Sequence, residues 1–116
     1  MPQALLDYLA PKRILLLGFG REGQSTYQYI RRFFPKKELA IADQNPVTMQ
    51  DTNVILHCGP RYLDAVNQYD LVIKSPGISV RDLELSSQVE MTCQLDLLLR
   101  FARCRVVGVT GTKGKT

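Results

Sequence analysis

Tryptophan is absent, histidine occurs once, and the three cysteines form no C-x-x-C pair. Cys58, Cys93 and Cys104 therefore offer neither zinc-site spacing nor an even disulfide framework, and they read as reduced, partly buried thiols. No serine–histidine–acid or cysteine–histidine arrangement can be argued, because the lone His57 closes the apolar run VIL as a core or turn residue. No apolar run approaches the roughly 20 residues that cross a bilayer. The opening MPQALLDYLAPKR lacks an apolar core long enough for a signal peptide, so a cytoplasmic location is expected. The basic residues are scattered as PKR, RR, PKK and single arginines, without a long run or an interleaved aromatic stripe. A net charge of +4 then fits an anionic small molecule, and neither nucleic acid nor membrane is expected as a partner.

What is present suits one modest core: 116 residues, 45% hydrophobic and 22% charged. Leu5, Leu6 and Leu9 fall at helical spacing before Pro11. RILLLG is too short for a helix and has the continuous apolar character of a strand buried on both faces. Tyr27, Ile30 and Phe34 predict a helix from Glu22 to Phe34, closed by Pro35. ELAIAD, NVILHC, DLVIKSPG and VEMTC read as further strands, with short helices over PRYLDAVNQ and VRDLELSSQ. QLDLLLRFAR predicts a helix whose apolar stripe uses Leu95, Leu98, Leu99 and Phe101 or Ala102, and CRVVGVTG a final β-branched strand. Strands alternating with helices argue for a single α/β domain, a Rossmann-like parallel sheet flanked by helices, with ligands beyond the carboxyl ends of the strands.

Three features fall at those ends. In GFGREG, Gly18, Gly20 and Gly23 follow a strand and open a helix in the G-x-G-x-x-G pattern, which specifies an anion the size of a pyrophosphate. Arg21 and Glu22 lie inside it; Glu22 suits the helix dipole but is an awkward neighbour for an anion, which Arg21 could offset. Asp43, twenty residues beyond Gly23, stands where an acid meets a ribose hydroxyl in dinucleotide sites. On these residues alone NAD is a fair reading. Ser75, Pro76 and Gly77 make a small-residue turn that lets a ligand approach backbone. The last, GTKGKT, places Lys115 and Thr116 as a phosphate loop does, lysine toward the β/γ-phosphates and threonine toward Mg²⁺. Val109 occupies the place of the first glycine in the general phosphate-loop pattern, so what remains is a more particular variant. Asp70 reads as a turn cap, and Asp82, Glu84 and Glu90 as solvated surface.

LLLGFGREG, DLVIKSPGI and VVGVTGTKGKT, in this order and at these distances, resemble the amino-terminal part of the Mur ligases from about Lys12 to Thr116. Within that family the S-P-G-I turn is most similar to the members that add D-glutamate. The resemblance implies a three-domain, amide-forming, ATP-dependent ligase of peptidoglycan synthesis acting on UDP-N-acetylmuramoyl-L-alanine. Residues 1–104 would be its UDP-binding domain and residues 105–116 the first strand and phosphate loop of a truncated central ATPase domain. In the family, ATP phosphorylates the substrate carboxylate, and the amine of the incoming amino acid attacks the acyl phosphate to give an amide, ADP and phosphate.

Carried over by position, Gly18, Gly20, Arg21, Glu22 and Gly23 would face the diphosphate, Asp43, Gln44 and Asn45 the uracil end, and Ser75, Pro76 and Gly77 the nucleotide-sugar side. Gly111, Thr112, Lys113, Gly114, Lys115 and Thr116 would serve ATP, with Thr116 on Mg²⁺ in the full-length enzyme only. This sequence departs from the family's pattern at Arg21-Glu22 (a small or apolar pair), Gln44-Asn45 (a threonine-arginine type pair) and Lys113 (frequently asparagine). No catalytic residue is expected among these 116, which stop where a phosphate-binding helix should begin, so they are expected to be an inactive piece of a longer enzyme with no tightly bound cofactor. Two other classes stay open: an NAD-binding module of a dehydrogenase or regulatory protein, which leaves GTKGKT unexplained, and a P-loop ATPase with a preceding domain, which leaves GFGREG unexplained. A Mur ligase adding another amino acid is open as well.

Overall fold

Ile14–Leu17 has no polar side chain to turn toward water, and the fold buries all four residues at the centre of a sheet. The computed structural model describes residues 3–81 and 83–101. The phosphate-loop motif and the final strand expected in CRVVGVTG lie outside them, as do Asp82 and Cys104.

The strands are β1 (Ile14–Leu17), β2 (Leu39–Asp43), β3 (Val54–Cys58), β4 (Leu71–Lys74) and β5 (Glu90–Thr92), all parallel in the order β3-β2-β1-β4-β5. Leu17 lies beside Ala42 on one side and Lys74 on the other. The helices are α1 (Gln3–Leu9), α2 (Arg21–Phe33) and α3 (Gln94–Arg100), and a 3-10 helix spans Tyr62–Gln68. Alternation along the strands divides the core in two. Ile14, Leu16, Ile41 and Ile73 face Leu5 and Leu9 of α1, Ile30 of α2 and Leu97 of α3. Leu15, Leu17, Ala42 and Val72 face Ala65 and Val66 of the 3-10 helix, with Ile78, Val80, Leu83 and Val89 packed against them. The described residues thus form a single α/β domain with a five-stranded parallel sheet flanked by helices.

Four local expectations are corrected. VRDLELSSQ forms no helix in its described part: the Asn67 side chain accepts from the Ser86 amide at 2.8 Å and donates to the Glu84 carbonyl at 2.9 Å, taking the backbone groups a helix would need. This stretch covers its face of the sheet as a looped segment. In α3 the apolar stripe points away from the core: Leu97 is buried, whereas Leu95, Leu98 and Leu99 are exposed. Cys58 is exposed because β3 is an edge strand, while Cys93 is half-buried. Glu90 is not free surface, since it accepts from the Tyr8 hydroxyl and, at 2.9 Å, from Arg100. Asp70 caps as expected, though it caps a strand: its Oδ2 accepts from the Arg13 amide at 2.9 Å, just ahead of β1.

Glu90 belongs to one of two clusters of similar chemistry that tie helices to the rest of the fold. In it, the Arg100 guanidinium lies 5.1 Å from the centre of the Tyr8 ring and the Lys12 ammonium 4.1 Å from it. In the other, Asp51 Oδ2 accepts from Tyr27 at 2.5 Å and from Arg31 at 2.8 Å, and Asp51 Oδ1 accepts from the Asn53 amide at 2.9 Å. Arg31 also donates to the carbonyls of Phe34 and Lys37, so this cluster pins α2 to the connections around β2.

Candidate functional site

The chain leaves β1 toward β2 on one side, and after β3 it returns to β4 on the other side of β1. The carboxyl ends of β1 and β4 therefore flank a topological switch point, where open α/β sheets bind their ligands. Gly18 follows β1 and Ser75 follows β4, so two sequence-predicted loops share this crevice.

Gly18 has φ +93°, a conformation that disfavours any side chain, and a Cβ there would come within 3.0 Å of Ser75. Its amide donates to the Ala42 carbonyl at 2.7 Å, and its own carbonyl accepts from the Ser75 hydroxyl at 3.3 Å. Gly23 is required for a different reason: a Cβ on it would sit 2.2 Å from the Gly18 carbonyl oxygen, so only glycine lets α2 begin this close to β1. Gly20 meets nothing within 4 Å of where a Cβ would stand, and it leaves open space before the helix. Gly20 is the N-cap of α2 and supplies no side-chain cap. Among the described residues nothing accepts from the amides of Arg21, Glu22 and Gly23, which stand at the positive end of a 13-residue helix.

Asp43 ends β2 with both carboxylate oxygens engaged: Oδ2 accepts from the Phe19 amide at 2.7 Å and Oδ1 from the Asn45 amide at 2.8 Å. The acid read as a ligand residue thus fixes the shape of the glycine loop and of the turn carrying Gln44 and Asn45, which are exposed on the rim. Across the switch, Ile78 donates its amide to the Ser75 carbonyl at 3.2 Å and leaves Pro76 and Gly77 at the exposed tip. Sequence reasoning missed Lys74, whose Nζ donates to the carbonyls of Ser75 and Ile78 at 3.0 and 2.7 Å and locks this turn. The signal was a lysine ending an apolar strand, where its stem is buried and its head reaches the next turn. It also missed Thr26, a buried residue of α2 whose hydroxyl donates to the Glu22 carbonyl one turn back at 3.0 Å.

The described structure thus brings Gly18, Gly20, Gly23, Asp43 and Ser75 to one rim, with Arg21, Glu22, Gln44, Asn45, Pro76 and Gly77 around it. His57 stands apart on β3, where its Nε2 lies 2.8 Å from the Tyr69 hydroxyl. Among the described residues no cluster of three or more histidine, cysteine, aspartate or glutamate side chains could hold a metal ion, and no helix is long and apolar enough to cross a membrane.

The chain has relatives among curated proteins. Over 120 aligned positions, 95% of this chain and 26% of the relative, the chain is 22% identical to the UDP-N-acetylmuramoylalanine--D-glutamate ligase of Clostridium botulinum strain Hall. The chain resembles a Mur ligase. Over 111 positions, 90% of this chain and 25% of the relative, it is 28% identical to the ligase of the same name from Haemophilus influenzae strain PittGG. This Mur-ligase-like chain spans about a quarter of the length of the curated relatives it matches. No family model and no solved structure matches it.

Proposed function

We propose that this chain is the UDP-binding domain of a cytoplasmic, ATP-dependent ligase that adds D-glutamate to UDP-N-acetylmuramoyl-L-alanine in peptidoglycan synthesis. The single observation that carries the reading is the meeting of Gly18 and Ser75 at the switch point, in a chain similar along nine-tenths of its length to D-glutamate ligases.

The free amides of Arg21, Glu22 and Gly23 hold the diphosphate, aided by the helix dipole, and Gly20 leaves it room. Gln44 and Asn45 meet the uracil end, on a turn whose shape Asp43 maintains. Ser75, Pro76 and Gly77 border the nucleotide sugar. Residues 1–104 form this domain, and residues 105–116 begin a central domain in which Gly111, Thr112, Lys113, Gly114, Lys115 and Thr116 hold ATP and Mg²⁺. Without the rest of such an enzyme the chain binds substrate and catalyses nothing.

Titrating the isotope-labelled chain with UDP-N-acetylmuramoyl-L-alanine, and separately with NADH and ATP, tests the reading by NMR. The muramyl nucleotide alone is expected to shift Gly18 to Gly23, Asp43 to Asn45 and Ser75 to Gly77. Shifts with NADH and none with the uridine nucleotide would make the rim a redox-cofactor site and overturn the proposal.

A further inference from the structure

A single carboxylate reaches both halves of the rim. Asp43 ends β2 on the face of the sheet that carries α2, because Leu39 and Ile41 point to that face at the same two-residue period. From there Oδ2 accepts from the Phe19 amide at 2.7 Å and Oδ1 from the Asn45 amide at 2.8 Å. The strand end is itself fixed from a third side, since the Asp43 carbonyl accepts from the Gly59 amide at 3.1 Å, just beyond β3.

The two arms carry different parts of the rim. Phe19 lies between Gly18 and Gly20, in the loop that leads to the amides of Arg21, Glu22 and Gly23, and its ring meets that of Tyr27 edge-on at 5.9 Å. Glycine backbone has the most freedom to lose, so the bond to Asp43 is what ties the middle of this loop to β2. On the other arm, the bond to Asp43 is the only hydrogen bond that Gln44, Asn45 or Pro46 makes among the described residues. An acid beside a loop that receives a diphosphate opposes the anion by Coulomb repulsion, so what it contributes to binding is the geometry it enforces.

We infer that Asp43 is a positioning residue whose carboxylate sets the separation between the α2 amides and the Gln44–Asn45 turn, and so couples the two halves of the rim for a ligand long enough to touch both. This rests on the reading of the rim as a nucleoside-diphosphate site. A ligand that spans both halves finds the second already ordered once the first is engaged, whereas a ligand that touches one half gains nothing from the coupling.

Two measurements on the 116-residue chain test the coupling. In ligand-free amide hydrogen exchange, Asp43→Ala is expected to speed exchange at Phe19 and Asn45 about tenfold, with the amides of β1 and β4 unchanged; Asp43→Asn, in which a nitrogen replaces one acceptor oxygen, should speed one of the two. By NMR titration, both variants are expected to bind UDP, which spans the rim, about tenfold more weakly. Inorganic pyrophosphate, which reaches the α2 amides alone, should bind as before or more tightly, because a neighbouring negative charge has gone. Weaker UDP binding with exchange unchanged at both amides would make Asp43 a direct ligand contact and overturn the inference. Equal losses for UDP and pyrophosphate would overturn it by confining the carboxylate to the glycine loop, and faster exchange throughout the sheet by making it a support of the whole fold. If the unaltered chain binds NADH and not UDP, NADH serves as the spanning ligand, so the uridine reading can fail while the coupling stands. Binding of none of the three would end both.

Discussion

α2 and α3 cover the same face of the sheet and are each tied down by a tyrosine, an arginine and a shared carboxylate, yet they are held in different ways. Around α2, the Arg31 and Asp51 side chains are only 14% and 18% exposed, and the helix is also seated by Gly23 against the Gly18 carbonyl. Around α3, the Arg100 and Glu90 side chains are 39% and 41% exposed, and a groove open to solvent runs between it and α2. The same three functional groups act as a clamp where water is excluded and backbone packs close, and as a releasable latch where neither holds. Burial and backbone approach decide which, because exposed ion pairs are weak and screened.

The largest effect should come from breaking the seat of α2. Gly23→Ala forces a Cβ against a backbone oxygen, and we expect a loss of about 3 kcal/mol in urea unfolding. Asp51→Ala leaves Tyr27, Arg31 and the Asn53 amide without their acceptor, and about 2 kcal/mol should be lost in the same assay. Glu90→Ala, the equivalent change at the latch, should cost less than about 1 kcal/mol. Equal losses at Asp51 and Glu90 would erase the distinction between clamp and latch.

Lowering the pH probes both carboxylates together. Each is held below its ordinary pKa, Asp51 first by the Tyr27 hydroxyl and then by the Asn53 amide, and Glu90 first by the Tyr8 hydroxyl. Because the folded-state pKa values are the lower ones, their stabilisation is complete above the ordinary carboxylate range and is lost as pH falls through it toward the folded values. Thermal melts from neutral to acid pH should therefore fall less steeply for Asp51→Asn with Glu90→Gln than for the unaltered chain. The smallest effect belongs to Gly20→Ala, which meets open space and should change stability by no more than about 0.5 kcal/mol.

The sheet was legible because each buried strand announces itself as an unbroken apolar run. ILLL, LAIA and LVI needed no period to be recognised. α2 was legible within a residue at each end, bracketed by the glycine loop and Pro35. What failed shared one cause, dependence on a distant partner. Nothing local in LELSS reveals that Asn67 takes its backbone groups. The spacing of Leu95, Leu98 and Leu99 marks an apolar face without saying which way it turns, and it turned outward. At the rim, the glycines and the S-P-G turn stood out in sequence because backbone conformation demands residue type. The internal employment of Asp43 and Lys74 did not, since an acid or a lysine at a strand end looks the same whether it meets a ligand or a main-chain group.

The engagement of both Asp43 oxygens separates two things that binding loops often combine. The path of the loop is set by Asp43, Gly18 and Gly23, while the side chains of Arg21, Glu22, Gln44 and Asn45 make no hydrogen bond among the described residues. Substitutions at those four positions are therefore expected to leave the frame of the loop unaltered. The chemistry the rim displays and the path of its backbone are thus free to diverge at different rates.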